Sequence, residues 1–263
     1  METKKPYYFV VDCSDRRNIF VYDTLKSLGY EVAAFEDFIP TKNKIDSIKF
    51  VYLFAPSLII DTGLVGNIAK KSIVFCTRLD DDTKLDLYKR GIRVLYYFDD
   101  EELVIKNAKL TAEGAIAHII FNTSLSLENM CVAVLGGGRI AKFMAQYLKL
   151  LDAQVYVAMR NRLEFDKIKD YCHKVLDFSE YDNLWGKFDC IINTVPSLLL
   201  SGDRLKELKK GCFVLDLASK PSGVDFDIAK SLGINAKLEL GVPGKLAPET
   251  AAKFITKSVL QRL

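Results

Sequence analysis

Gly136, Gly138 and Ala141 stand in the spacing G-x-G-x-x-A, which in the right structural context binds the pyrophosphate of a dinucleotide. The context is present, because an apolar strand pattern precedes the glycines and an amphipathic helix pattern follows them. The first glycine permits a tight turn, the second lets a pyrophosphate approach the backbone, and the small alanine allows close packing of helix on strand. The helix start would face the phosphates with unpaired N–H groups, to which Arg139 adds a charge. We expect a dinucleotide-binding turn; a purely structural turn is the alternative.

The end of the next strand indicates which dinucleotide is bound. An Asp or Glu there accepts hydrogen bonds from the ribose 2′-hydroxyl of NAD, whereas an Arg accommodates the 2′-phosphate of NADP. The chain has Arg160, Asn161 and Arg162 at this point, and the nearest carboxylate, Glu164, comes later. A guanidinium can hold a phosphate with two parallel hydrogen bonds. NADP is the expected cofactor, and a solvated strand end is the alternative interpretation.

Three further loops at the ends of predicted strands carry polar side chains next to Gly or Pro. They are residues 193–197, 216–223 and 241–245. Each alone fits ordinary turn chemistry, but ligands of an open parallel sheet bind outside the carboxyl ends of its strands, so loops gathered on that edge favour a site. The cofactor contacts that we expect are Gly136, Gly138, Arg139, Ile140, Arg160, Asn161, Arg162, Thr194, Val195, Pro196, Ala218 and Ser219.

Apolar runs alternate with helical segments along the chain, a pattern that predicts parallel α/β sheets. In the first part the predicted strands are 7–11, 31–35, 50–54, 72–76 and 93–96, with a helix over 16–28. Later strands are predicted at 174–176, 189–193, 212–217 and 236–240, with helices over 162–171, 203–209 and 226–232. Pro248 is well tolerated in a first helical turn and predicts the start of a last helix.

This pattern predicts an α/β fold with two Rossmann-like parallel-sheet domains joined by long helices. The expected segments are a substrate domain over 1–110, a connecting helix over 111–128, an NADP-binding Rossmann domain over 129–247, and a C-terminal helix over 248–263 that returns toward the first domain.

Composition and charge exclude several classes of protein. With 263 residues, 49% of them hydrophobic and 27% charged, the chain is long enough for two ordinary cores. A net charge of +3 is too small to indicate a nucleic-acid partner. We see no signal peptide and no segment of membrane-spanning length, and we therefore expect a cytoplasmic protein with no membrane partner. Six widely spaced cysteines without a C-x-x-C pair are typical of reduced core residues, and we expect no metal site.

Five segments together resemble the dipicolinate synthase A-subunit family of spore-forming bacteria. They are TAEGAIAHII (111–120), VAVLGGGRIA (132–141), FDCIINTVPSLLL (188–200), VLDLASKPSGVDF (214–226) and GVPGKLAPETA (241–251). The LASKP and PGK-x-AP-x-T elements are far more specific than a glycine turn. The likeness covers residues 100–263, whereas Cys13 and Ser14 replace the two glycines that the family usually has after its first strand.

The resemblance implies a fold like that of D-2-hydroxyacid dehydrogenases and an NADP-linked activity during sporulation. The reaction would convert the lysine-pathway intermediate 4-hydroxy-tetrahydrodipicolinate, or its dehydrated form, to pyridine-2,6-dicarboxylate. The flavoprotein-like second component of the synthase would assist, and we expect a homo-oligomer.

Such a reaction needs cations for the two carboxylates of its small dicarboxylate substrate and a base for a ring proton. Lys220 and Lys245, on loops near the expected nicotinamide, are the catalytic candidates, and Arg78 is a third cation. The base is not identified, since His118 and His173 both fit structural roles better.

Two alternatives remain open. The lack of any histidine in the later strand loops disfavours a 2-hydroxyacid dehydrogenase, which needs a His paired with a carboxylate. The divergent first domain favours a non-catalytic NADP-binding protein or sensor.

Overall fold

The structure is a computed structural model of the chain, and it describes residues 6–38, 48–181 and 183–263. Its strands are β1 (Tyr7–Val11), β2 (Glu31–Ala34), β3 (Lys49–Leu53), β4 (Ile73–Cys76), β5 (Arg93–Tyr96), β6 (Cys131–Leu135), β7 (Gln154–Ala158), β8 (Lys174–Leu176), β9 (Cys190–Asn193), β10 (Phe213–Asp216) and β11 (Asn235–Leu238). Its helices are α1 (Arg16–Ser27), α2 (Thr62–Val65), α3 (Asp81–Lys89), α4 (Glu101–Asn122), α5 (Arg139–Leu150), α6 (Gly202–Lys206), α7 (Phe226–Ser231), α8 (Val242–Leu246) and α9 (Pro248–Gln261). None of the helices described is both long and apolar enough to cross a membrane.

The chain divides into two compact units. Unit 1 comprises Met1–Asn107 together with Pro243–Leu263, and unit 2 comprises Ala108–Val242. The long helix α4 begins in unit 1 and ends in unit 2. The segment 243–247, which the sequence assigned to the second domain, groups with unit 1.

Unit 1 is built around a parallel sheet whose order over the described residues is β2-β1-β3-β4-β5. The strands β3 and β4 are buried along almost their whole length, as in sheets that are covered on both faces. Helix α9 packs against α1, and its residues Ile255 and Val259 join Phe9, Val21 and Leu25 in one apolar cluster. The last helix therefore supplies part of the unit 1 core.

Unit 2 contains the second parallel sheet, with the order β11-β10-β9-β6-β7-β8 over the described residues. From β6 the chain first adds strands on one side, β7 and β8, and then returns to add β9, β10 and β11 on the other. The reversal between β6 and β9 is the topological switch point at which doubly wound sheets bind ligands. Two parallel-sheet α/β domains confirm the fold class expected from the sequence.

One helix prediction was wrong in detail. The segment 162–171 forms 3-10 turns, Arg162–Lys167 and Lys169–Tyr171, because Phe165, Ile168 and Tyr171 recur every third residue and their N–H and C=O groups pair at that interval. The expected connecting segment from 111 forms the second part of α4, which begins at Glu101, where the sequence pattern turns helical. The side chain of Asp100 accepts a hydrogen bond of 3.1 Å from the N–H of Leu103 and caps its first turn.

Candidate functional site

The glycine turn after β6 is shaped by the neighbouring loop after β9. Gly136 has φ of +120°, a conformation that side chains rarely adopt, and a Cβ at this position would overlap the hydroxyl of Thr194. That hydroxyl donates a hydrogen bond of 2.8 Å to the carbonyl of Leu135. Gly136 is thus required by the contact between two loops as well as by the turn.

Gly138, by contrast, faces open space. It is the N-cap of α5 with an extended backbone and no side-chain cap, and a Cβ added to it would meet no heavy atom within 4 Å. Arg139 is exposed beside it, Ile140 is half-buried, and Ala141 is fully buried against the sheet. The turn therefore offers uncapped N–H groups and an unfilled cradle, which fit the pyrophosphate of a dinucleotide.

The end of β7 presents cationic and polar side chains to solvent. Arg160, Asn161 and Arg162 are exposed, and Asn161 caps the 3-10 turn by accepting a hydrogen bond of 3.1 Å from the N–H of Leu163. The Nε atom of Arg162 lies 3.7 Å from Oδ2 of Asp177, which follows β8. Hydrogen bonds from the N–H and hydroxyl of Ser179, and then Arg162, lower the pKa of Asp177, so it is ionised at neutral pH.

The first carboxylate along the chain after β7 is already paired. Glu164 accepts a hydrogen bond of 2.7 Å from Nζ of Lys167, three residues away. The strand end itself carries two guanidinium groups, which suit a phosphate group better than a ribose hydroxyl.

A buried polar network fixes the loops after β9 and β10. The carboxylate of Asp216 is fully buried and accepts hydrogen bonds from the side-chain amide of Asn193 (2.8 Å) and from the N–H groups of Ala218 (2.9 Å) and Gly223 (2.7 Å). Asn193 also pairs with both the N–H and the carbonyl of Val195. The network holds both loops at the carboxyl edge of the sheet.

The two loops differ in exposure along their length. Thr194 and Val195 are half-buried, Pro196 is exposed, Ala218 is buried, and Ser219 is exposed. Lys220 is exposed at the tip of the β10 loop, followed by a cis peptide bond to Pro221. Ser222 has φ of +53°, in the left-handed region that favours glycine.

Lys245 lies in the short helix α8, not in a loop as the sequence suggested, and it belongs to unit 1. Its carbonyl accepts a hydrogen bond of 3.5 Å from the guanidinium of Arg16. A Cβ on Gly244 would meet Nε of Arg17 at 2.8 Å, so the glycine allows the Arg17 side chain to lie against this backbone. Lys220, in contrast, belongs to unit 2.

Two charged pairs escaped sequence analysis. In unit 1 the nearly buried guanidinium of Arg17 donates two hydrogen bonds, 2.8 and 2.6 Å long, to the carboxylate of Asp15. In unit 2 the Nε2 atom of His118 lies 3.9 Å from Oε2 of Glu239, directly after β11. The first pair is two residues apart and could have been found as a local pair, whereas the second joins residues 121 positions apart and left no local signal.

The six cysteines are free thiols, and all except the half-buried Cys13 are buried. Burial raises the pKa of Cys76 and of Cys212 to about 12 and that of Cys172 to about 11. These thiols are protonated at neutral pH and act as small apolar side chains.

Comparison with known protein-family profiles gives no match. Among curated proteins, the chain is 33% identical over 171 residues to the dipicolinate synthase A-subunit of Bacillus subtilis (strain 168), a match that covers 65% of this chain and 57% of that protein. It is also 30% identical over 115 residues to a glutamyl-tRNA reductase of Clostridium botulinum (strain Eklund 17B / Type B), covering 43% of this chain and 28% of that protein. The matches thus span less than two thirds of the length of these curated relatives.

Solved structures share the fold over the whole chain. The dipicolinate synthase A-subunit from Bacillus halodurans has a TM-score of 0.83 at 24% identity and covers 100% of this chain and 98% of its own. The NAD-complexed D-isomer specific 2-hydroxyacid dehydrogenase from Lactobacillus delbrueckii ssp. bulgaricus has a TM-score of 0.63 at 12% identity, with coverage of 97% and 96%. Together with the sequence match, these likenesses show that the chain is similar in part of its sequence to the dipicolinate synthase A-subunit and shares its fold.

Proposed function

We propose that this protein is a cytoplasmic, NADP-dependent oxidoreductase that forms pyridine-2,6-dicarboxylate during sporulation. Its substrate would be 4-hydroxy-tetrahydrodipicolinate or the dihydrodipicolinate that results from its dehydration. The observation that carries the proposal is the open space around Gly138 at the switch point of the second sheet. The sequence likeness supports it, because the chain is 33% identical to the dipicolinate synthase A-subunit over 171 residues.

The residues of unit 2 fit a nicotinamide dinucleotide. The N–H groups at the start of α5, with Arg139, would hold the pyrophosphate, and the loops fixed by Asp216 would line the nicotinamide half. When bound, the dinucleotide supplies the acceptor for a hydride. The NAD in the complexed D-isomer specific 2-hydroxyacid dehydrogenase, which has the same fold, supports this assignment.

The preference for NADP over NAD rests on the two exposed guanidinium groups at the end of β7. Arg160 and Arg162 can meet the 2′-phosphate with charge-assisted hydrogen bonds, and the nearest carboxylate along the chain is paired with Lys167. A carboxylate at the strand end, which would repel the phosphate, is replaced here by cations.

Lys220 is the substrate cation that the site supports best. It is exposed at the tip of a loop whose base is held by three hydrogen bonds to Asp216. A dicarboxylate taken out of water needs such cations, because an unpaired buried carboxylate costs several kcal/mol. Lys245, in unit 1, is the second cation that we propose. The proposed partners are a second copy of the chain and the flavoprotein-like second component of the synthase.

A second candidate function, oxidation or reduction of a 2-hydroxy acid, is favoured by the contact between His118 and Glu239. Such enzymes need a His paired with a carboxylate. The sequence shows no His in the later strand loops, which argued against a 2-hydroxyacid dehydrogenase. Its substrates are open-chain 2-hydroxy acids rather than a ring dicarboxylate, so the two candidates are separable by assay.

A spectrophotometric assay tests both candidates and a purely nucleotide-binding role. Purified protein, with and without the second component of the synthase, is mixed with NADP and the freshly generated lysine-pathway intermediate, and reduction of the nucleotide is followed. Turnover with the dicarboxylate supports the proposal, and turnover only with 2-hydroxy acids supports the second candidate. Tight NADP binding without turnover on either substrate would identify a non-catalytic protein.

A further inference from the structure

The proposed reaction needs a base for a ring proton, and the His118–Glu239 pair can provide one. We propose that His118, oriented by Glu239, accepts the ring proton when the dihydropyridine dicarboxylate is oxidised. The inference rests on the proposed function and adds to it the identity of the base.

The pair lies in a partly enclosed environment within unit 2. The side chain of His118 is 21% exposed and that of Glu239 is 18% exposed, and Nε2 and Oε2 are 3.9 Å apart. Both side chains are therefore mostly shielded from bulk water yet remain accessible. The carboxylate lies beside Nε2, where it can orient the ring toward a proton donor.

Two contacts fix how α4 lies along β11. The carbonyl of Asn122 accepts a hydrogen bond of 3.5 Å from the side-chain amide of Asn235, at the start of β11. His118, one helical turn earlier, contacts Glu239 just after the end of β11. The helix therefore runs antiparallel to β11. His118 is at the carboxyl edge of the sheet, the edge at which ligands of a doubly wound sheet bind.

The pair is also on the nicotinamide side of that edge. The strands β9, β10 and β11 lie on one side of the switch point, and β7, with its arginines, lies on the other. The N–H of Glu239 donates a hydrogen bond of 2.8 Å to the carbonyl of Asp216, the residue whose carboxylate holds the Lys220 loop. The imidazole and the proposed substrate cation are thus supported by adjacent strand ends.

The chemistry balances with one proton to be removed. Dihydrodipicolinate and the oxidised dinucleotide give dipicolinate, the reduced dinucleotide and one proton. One ring C–H bond breaks with its electron pair leaving as hydride, and a second breaks with its pair staying in the ring as the new double bond. With Nε2 turned to Glu239, the lone pair of Nδ1 takes this second hydrogen as a proton.

His173 provides a matched control. It is the other histidine in the chain, it lies in the same unit directly before β8, and it is exposed, with its ring 5.4 Å from that of Tyr156. The strand β8 is at the opposite edge of the sheet from β11. The change His173→Gln tests the loss of a histidine without touching the proposed base.

The experiment measures proton removal separately from oxidation. Native protein and the variants His118→Gln, Glu239→Gln and His173→Gln are incubated with the substrate in D2O without dinucleotide, and deuterium entry at the ring carbon is followed by NMR. We expect His118→Gln to lower both this exchange rate and kcat/KM with NADP by about 100-fold or more, the usual contribution of a general base. Glu239→Gln should give a smaller loss, and His173→Gln should match the native protein.

Two further readouts exclude a merely structural role. Calorimetric titration should give His118→Gln a Kd for NADP within about two-fold of the native value, and added imidazole should restore turnover to His118→Ala. Unchanged exchange and turnover in His118→Gln would overturn the inference and leave the proposed function intact. A loss that imidazole does not rescue, accompanied by weaker NADP binding, would also overturn it. Native protein that neither exchanges nor oxidises the dicarboxylate would instead reject the proposed function.

Discussion

The carboxylate of Asp216 on β10 and the side-chain amide of Asn193 on β9 are joined by a hydrogen bond of 2.8 Å across neighbouring strands. Because Asp216 is fully buried, an amide in its place would turn its NH2 group toward the N–H of either Ala218 or Gly223, which donate to different carboxylate oxygens. We expect Asp216→Asn to lower the free energy of unfolding by about 1–3 kcal/mol, as for an unsatisfied buried polar group. Urea unfolding measures this. The exposed Asp227→Asn is the control, and equal midpoints for both variants would contradict the prediction.

Gly138→Val should abolish dinucleotide binding without loss of stability. The added side chain enters space that no protein atom within 4 Å of its Cβ occupies, and it would fill the cradle for the pyrophosphate. Gly136→Ala should behave differently and lower the thermal midpoint, because its Cβ would overlap Thr194 at a φ of +120°. Calorimetric titration with NADP and thermal unfolding measure the two effects. A Gly138→Val protein that binds NADP with native affinity would refute the assignment of the turn.

Arg160→Ala should weaken NADP binding about ten-fold or more and leave NAD binding nearly unchanged. One charge-assisted hydrogen bond to a phosphate is worth on the order of 1.5–3 kcal/mol. Arg162→Ala should have a smaller effect, since its Nε is 3.7 Å from Asp177 and part of its charge is already compensated. Titrations with both nucleotides give the ratio of the Kd for NAD to the Kd for NADP. Equal affinities of the native protein for NAD and NADP would disprove the proposed preference.

Lys220→Met should retain NADP affinity and stability but lose most of kcat/KM for the dicarboxylate substrate. The methionine keeps much of the side-chain length while removing the charge that would face a substrate carboxylate. Steady-state kinetics on the active protein measure the loss. The exposed Lys230→Met, on α7, serves as the control for removal of one positive charge. If kcat/KM is the same in both variants, Lys220 is a solvated loop residue.

The pair of Asp15 and Arg17 should make unit 1 sensitive to acid. Burial acts to raise the pKa of Asp15, but hydrogen bonds from the side chain and N–H of Arg17, its charge and the hydroxyl of Ser57 together hold that pKa below its ordinary value. A carboxyl with a depressed pKa in the folded state stabilises that state above its unfolded pKa of about 3.9, and this contribution is lost as the pH falls through the folded pKa.

We therefore expect Asp15→Asn to be less stable than the native protein at neutral pH, with a difference that shrinks as the pH falls below about 4. Thermal midpoints measured from pH 7 downward follow this difference. The control is Asp23→Asn, an exposed position in α1. Its thermal midpoint should change with pH as that of the native protein does. A stability difference between Asp15→Asn and native protein that is independent of pH would contradict the role of the charged pair.

Short strands were predictable because their apolar residues stand in continuous runs, and the limits of β1, β5 and β8 agree with the sequence patterns. The 3-10 turns at 162–171 were harder to predict, since apolar residues at every third position fit an α-helix nearly as well as a 3-10 turn. For the site, the glycine spacing located the expected cofactor turn. The contacts of Asp216 with Asn193 and of His118 with Glu239 could not be predicted from the sequence. Each joins elements that the fold brings together from distant parts of the chain.

The division of unit 1 into two separated stretches has a consequence for biosynthesis. Unit 2 is one continuous segment, Ala108–Val242, so all of it has been synthesised before the ribosome reaches α9. Until then the apolar face of the first sheet lacks Ala252, Ile255 and Val259. Domains generally fold as units during synthesis, and exposed apolar surface promotes aggregation. The unit made first is therefore completed last, and its apolar face stays uncovered until α9 has been synthesised.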